Sequence, residues 1–157
     1  LQSATGLFWI NITMLISYFI WGYILPKISD YGINSIKLIK LGLPISYFSL
    51  FLIIYFGNNA GAFLFTIYIM TSIVISLTQP AIALNFSKNL AGKSLTSFNV
   101  FLFSGTFFVQ WGIGLIIDLC NNKGFDILSS YRISFSLFLI LCVLSYTFFI
   151  YLNKNEN

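Results

Sequence analysis

The chain has 157 residues, 58% of them hydrophobic and 8% charged, with a net charge of +4 and a mean hydropathy of +0.90. An ordinary soluble domain carries about 25% charged residues, and a chain this short has no interior large enough to hide so much apolar surface, so a soluble globular fold is excluded. The basic residues stand singly at the edges of apolar runs instead of forming a patch, which argues against a nucleic-acid partner; with no histidine and no paired intramembrane carboxylates, neither a metal centre nor a catalytic residue is expected, and the chain does not read as an enzyme.

Five apolar stretches predict helices of about the 20 residues needed to cross a bilayer, giving an all-α membrane protein with a five-helix transmembrane bundle. A short polar lead, Gln2-Ser3-Ala4-Thr5-Gly6, runs into the first span at 7–25, which Pro26-Lys27 is expected to end. The second, 41–56, is short unless it extends backward with Lys37 and Lys40 snorkelling. The third is 60–84, the fourth 95–117 and the fifth 133–152. Trp9 and Trp21 near the ends of the first span, and Tyr131, Tyr146 and Tyr151 near the ends of the last, fit interfacial anchors. The chain opens at Leu1 without a signal-peptide pattern. We therefore expect it to be the C-terminal part of something longer, with a missing N-terminal half as its covalent partner.

Charge sets the expected orientation. Lys27, Lys37, Lys40, Lys88, Lys93 and Lys154 fall at one end of the alternating spans, and Lys123 and Arg132 at the other. The positive-inside rule then places the N-terminus of this segment outside and its C-terminus in the cytoplasm, multi-pass in the plasma (cytoplasmic or inner) membrane. Asp118, at the outer end of the fourth span, reads either as an interfacial partner of Lys123 or Arg132 or as a gating or ion-coupling group.

Polar residues inside the spans fall into stripes. At 100° per residue, offsets of 4, 7 and 11 stay on one helical face. Asn11, Tyr18 and Gly22 share such a face in the first span; Tyr68, Ser72 and Gln79 in the third; Asn99, Thr106 and Gln110 in the fourth. The second and fifth spans have no amide or charge in their cores. The pattern suggests three helices turned to a polar interior and two turned to lipid, because polar groups in a span face other helices or a wet cavity. Helix-to-helix hydrogen bonding and cavity lining are both open readings of these stripes. Gly105 and Gly112 lie on the other side of the fourth span, a surface for close packing or rocking, and Gly114 lies nearer its polar stripe. Pro80 directly follows Gln79 and should bend the third span.

Other signals carry nothing. Gly92-Lys93-Ser94 has the end of a phosphate-binding loop but not its first glycine or its strand. Asn11-Ile12-Thr13 and Asn85-Phe86-Ser87 match the glycosylation pattern at places where no glycan would reach. Cys120 lies past a span end and Cys142 lies mid-span, too far apart in depth to pair, so both read as inert thiols.

The stretch from Pro80 through Ala91-Gly92-Lys93 to Asn99, continuing to Gln110-Trp111-Gly112-Ile113-Gly114 and Asp118, resembles the tenth and eleventh helices of a major facilitator superfamily transporter. Gly22 to Gly32 resembles the loop after the eighth helix of that family, with Pro26 standing where an acidic residue is usual. The resemblance implies that the five spans are helices eight to twelve of twelve, most of the C-terminal six-helix half. It implies a secondary active transporter that moves a small polar solute by alternating access between two helical halves, with a proton or ion as the coupling partner where one is used and no cofactor. Helices eight, ten and eleven would line the cavity, with Asn11, Tyr18, Tyr68, Gln79, Asn99 and Gln110 as substrate-path candidates and Pro80, Gly105, Gly112 and Gly114 as packing or hinge positions. The alternative is a non-transporting multi-pass scaffold or assembly subunit.

Overall fold

The computed structural model describes residues 2–31 and 33–154; Gly32, which closes the stretch likened to the loop after an eighth helix, lies outside them. The described residues form helices and connecting turns, with no strand among them. The helices are α1 (Gln2–Ser29), α2 (Ser35–Phe56), α3 (Ala62–Ser72), α4 (Thr78–Asn85), α5 (Lys88–Asn122) and α6 (Ile127–Leu152). A 3-10 turn, Gly57–Asn59, follows α2, and a 3-10 stretch, Ile73–Leu77, joins α3 to α4. Taken with that stretch, α3 and α4 make one continuous apolar unit, called the third span below. Five helical units are long and apolar enough to cross a membrane, and the chain is a multi-pass membrane protein on that evidence.

The helices run past the apolar runs. α1 continues through Pro26 to Ser29. The imino nitrogen forfeits one hydrogen bond, but it does so in the last turn, where Lys27 Nζ reaches the Tyr23 hydroxyl at 2.5 Å and sits 3.8 Å from the ring centroid. α2 extends back over Lys40 and Lys37 to an Asn34 cap, whose side chain accepts from the Lys37 N–H at 2.9 Å. α6 starts at Ile127 because Asp126 caps it, accepting from the Ser129 N–H at 3.2 Å. α5, at 35 residues, is about 52 Å long at the standard rise. It exceeds the hydrocarbon core of about 30 Å.

The bend expected at Pro80 appears as a change of helix type. Proline at position 80 cannot donate to the carbonyl of residue 76 and its ring crowds that carbonyl; the chain tightens into 3-10 geometry over Ile73–Leu77, the turn just before it. Thr71, Ser72 and Thr78 bond back to carbonyls of the preceding turn, at Ile67, Ile69 and Ile75, which satisfies their own hydroxyl donors within the span.

α2 is the centre of the bundle. Its buried stripe, Ile39, Leu43, Ser46, Ser49, Leu50 and Ile53, is the longest of any helix, and Ile39 and Leu43 join Val74 and Leu77 in a core against which Trp21, Leu25, Tyr146 and Phe149 pack. The third span lies on one side of α2 and α6 on another; α1 packs on the third span and α5 on α6. This differs from a purely lipid-facing second span. The lack of amides in α2 reflects tight packing: Gly42, Ser46 and Ser49 are small, and both serines bond to their own helix carbonyls, so neighbours approach closely. The opposite face of α2, with Leu41, Ile45, Phe48 and Tyr55, is exposed and apolar.

The outer helices are barely covered. Every residue from Val100 to Trp111 of α5 is exposed. Within that stretch Phe101, Phe103, Phe107 and Phe108 stand on different sides of the helix, so apolar side chains cover most of its circumference, interrupted by the strip that carries Thr106 and Gln110.

Candidate functional site

In-span hydroxyls and in-span amides behave differently, and the difference locates the candidate site. Thr13, Ser17, Thr66, Thr106 and Ser134 each donate to a carbonyl one turn back on their own helix. Each satisfies its donor without a partner from outside. An amide has two donors and an acceptor and cannot be satisfied that way. Asn11 gives one N–H to the Leu7 carbonyl at 2.7 Å and keeps its carbonyl oxygen unused among the described residues. The side chains of Gln79, Asn99 and Gln110 make no hydrogen bond among the described residues.

The six substrate-path candidates lie on three helical units. Asn11 and Tyr18 are exposed on α1; Gln79 is exposed on α4 beside Pro80; Gln110 is exposed and Asn99 half-buried on α5. Tyr68 is half-buried on α3 and turns to a different neighbourhood, within electrostatic reach of Tyr47 on α2 and Cys142 on α6. None of the six lines any of five clefts on the bundle. Gln79 and Gln110 thus stand exposed on separate helices with no hydrogen-bond partner among the described residues.

Gly105, Gly112 and Gly114 each have open space where a Cβ would stand. No helix of the described chain uses them for close approach. The close approach occurs instead at Gly42, where a Cβ would lie 2.8 Å from Val74 Cγ1. Pro80 lines a cleft of about 330 Å³ with Leu25, Asn34, Ser35 and Leu84. A second cleft, about 410 Å³, opens between α1, α2 and the third span, lined by Ser17, Trp21, Gly42, Thr71 and Val74.

Sequence reasoning did not find the ties between α2 and α6. Arg132 Nε donates to the Ile54 carbonyl at 3.1 Å and its Nη2 to the Tyr55 carbonyl at 3.0 Å. At the other end Lys40 Nζ donates to the Asn153 carbonyl at 2.8 Å, and the Tyr146 hydroxyl donates to the Lys40 carbonyl at 2.6 Å. Arg132 and Lys40 thus each place a cation on the C-terminal carbonyls of the antiparallel partner, where the helix dipole is negative. Tyr146 therefore packs inward, edge-on to Tyr47 at 5.8 Å, and is more than an interfacial anchor. Arg132 goes to backbone and not to Asp118, which is exposed and has no partner among the described residues. Outside the spans, hydrogen bonds from Ser129 hold the Asp126 carboxyl below its ordinary range.

Cys120 and Cys142 are both free thiols. Among the described residues no three His, Cys, Asp or Glu side chains come together. No protein family model, curated protein or solved structure matches the chain.

Proposed function

We propose that this chain is part of a secondary active transporter of a small polar solute, working by alternating access between two helical halves as in the major facilitator superfamily. The observation that carries the reading is the set of unpartnered in-span amides, Gln79, Asn99 and Gln110, with the half-used Asn11. A polar group left against acyl chains has nothing to bond, and in membrane proteins such groups face a bundle interior or a water-filled path. Their neutrality suits hydrogen bonding to an uncharged or zwitterionic solute, and no ionisable residue lies among them, so proton or ion coupling would use groups outside this segment. The third span, interrupted by the 3-10 stretch just before Pro80, has the character of the interrupted helices that line transport paths. In this reading the chain supplies most of the C-terminal half, meets its N-terminal half across the α1 and α5 faces, and sits in the plasma or inner membrane with its C-terminus in the cytoplasm.

The test is cysteine accessibility. In a chain with Cys120 and Cys142 replaced, single cysteines at 79, 99 and 110 should react with a membrane-impermeant maleimide, and cysteines at 101 and 137 should not. Equal protection of both sets counts against a wet path. One feature favours a second reading, an assembly subunit without transport: Gly105, Gly112 and Gly114 offer an unused surface for close approach of another helix. Under that reading the amides at 79, 99 and 110 are sealed in every state.

A further inference from the structure

Arg132 does two things at once. It caps α2, as described above, and it stands at the rim of an apolar cleft of about 500 Å³ between α2, α3 and α6, lined by Ile53, Phe65, Ile127, Leu128 and Phe135 with Tyr131 and Asn58 at its polar edge. That volume is within the range of small-ligand sites. Arg132 precedes a run of twenty residues, Ile133–Leu152, with no charge. Twenty residues span about 30 Å, the thickness of the hydrocarbon core, so Arg132 stands at the level where lipid phosphates lie. Its two hydrogen bonds go to neutral carbonyls, and among the described residues no carboxylate pairs with it. The guanidinium therefore keeps its charge and three of its five N–H donors, and forks of this kind match phosphate geometry. A cation at phosphate depth above a greasy slot fits a phospholipid, and fits best one whose headgroup carries no cation of its own to compete for the phosphate.

We propose that this cleft binds one anionic phospholipid, its phosphate on Arg132 and an acyl chain laid along Ile53, Phe65 and Phe135. The site is independent of whether the chain transports anything. It also gives the lipid a structural task, since a phosphate on Arg132 fixes the side chain that joins α2 to α6.

The test is native mass spectrometry of the full chain released from micelles doped equally with phosphatidylglycerol and phosphatidylcholine of the same acyl composition. The unsubstituted chain should retain phosphatidylglycerol over phosphatidylcholine by roughly fivefold, the factor one cation supplies near an anionic lipid surface. Arg132→Gln should abolish that preference. So should Ile127→Glu, which puts a carboxylate on an exposed residue of the same cleft, where it repels a lipid phosphate and competes for Arg132, and leaves Arg132 itself unsubstituted. Lys123→Gln, in the turn before α6, should keep it. Equal retention of the two lipids by the unsubstituted chain overturns the proposal, as does a preference that survives in either folded cleft variant or is lost in Lys123→Gln. Should Arg132→Gln fail to fold, Ile127→Glu decides alone.

Discussion

Gly42 and Val74 meet where α2 crosses the third span, so closely that a Cβ on Gly42 would lie 2.8 Å from Val74 Cγ1 and 3.1 Å from its Cβ. Val74 has nowhere to go. It is 2% exposed, β-branched, and held in the 3-10 stretch that precedes Pro80. The contact is therefore a stiff buried side chain against the bare backbone of Gly42, and it joins the irregularity of the third span to the centre of the bundle.

Gly42→Ala should destabilise the protein. Alanine gains up to about 1 kcal/mol of helix propensity over glycine, but forced overpacking of a tight contact costs about 1–3 kcal/mol, and the stiff neighbour puts this site toward the upper part of that range. Thermal unfolding in detergent should show a lower midpoint for Gly42→Ala, and the double substitution with Val74→Ala should recover part of the loss. Strict additivity of the two changes would show that they do not share one contact.

That contact was not legible in the sequence, and the reason is general to the parts that were missed. The five spans are written in composition, because a lipid-facing helix must be apolar over its whole length. The irregularity around Pro80 is written in one residue, because a missing N–H acts on its own helix. Gly42 gives no such signal. A glycine at the head of an apolar run reads the same whether or not another backbone crosses it. The ties made by Arg132 and Lys40 link residues 77 and more positions apart, and periodicity within one helix carries no record of a partner on another. The helices run outward past the apolar runs for a related reason: Asn34 and Asp126 are local caps, while hydropathy marks the edge of the lipid and not the end of the hydrogen-bonded rod. Among the candidate site residues, Asn11, Tyr18, Gln79 and Gln110 stand exposed on α1, α4 and α5, and Asn99 is half-buried. Tyr68 shares a stripe with Gln79 across the 3-10 stretch only if the helix is regular, and the change of pitch there leaves Tyr68 beside Tyr47 instead.

Tyr146→Phe should cost about 1 kcal/mol, the net value of one hydrogen bond, because the ring keeps its packing on Tyr47 while the Lys40 carbonyl loses its donor. Lys40→Met removes the neighbouring tie to Asn153 and should cost a similar amount. Both report on the same end of the α2–α6 pair, so the double variant should lose less than the sum. A Tyr146→Phe protein with unchanged unfolding midpoint would show that the hydroxyl is as well satisfied without Lys40.

Asp126 sets a pH dependence with a defined sign. Its folded-state pKa lies below the ordinary carboxylate value, mainly through hydrogen bonds from Ser129. The folded state therefore prefers the ionised cap. That contribution is complete above the unfolded-state pKa of about 4 and is lost as the pH falls through the lower folded-state value. Unfolding followed between pH 6 and pH 3 should show a decline at the acid end that Asp126→Asn flattens, since asparagine caps without titrating. A decline of equal depth in both proteins would show that the Asp126 cap does not set it.

Gln110 and Cys142 separate the transport reading from a purely structural one. Gln110 is exposed on α5 and lacks a hydrogen-bond partner among the described residues; Cys142 is half-covered on α6, near Tyr47 and Tyr68. If both residues only pack, the change at Cys142 should do more harm, because it sits among neighbours and Gln110 does not. If Gln110 faces a solute, the order reverses: removing an amide that orients a bound polar molecule forfeits a hydrogen bond made only during transport, while Cys142→Ala trims one sulfur from a contact that the surrounding tyrosines can close. In proteoliposomes containing the whole protein and screened with radiolabelled neutral solutes, Gln110→Ala should lower uptake roughly tenfold, the effect of about 1.4 kcal/mol, and Cys142→Ala by less than about twofold, with both proteins equally stable. Equal uptake by the two variants removes Gln110 from the path, and with it the strongest residue-level support for solute passage along α5.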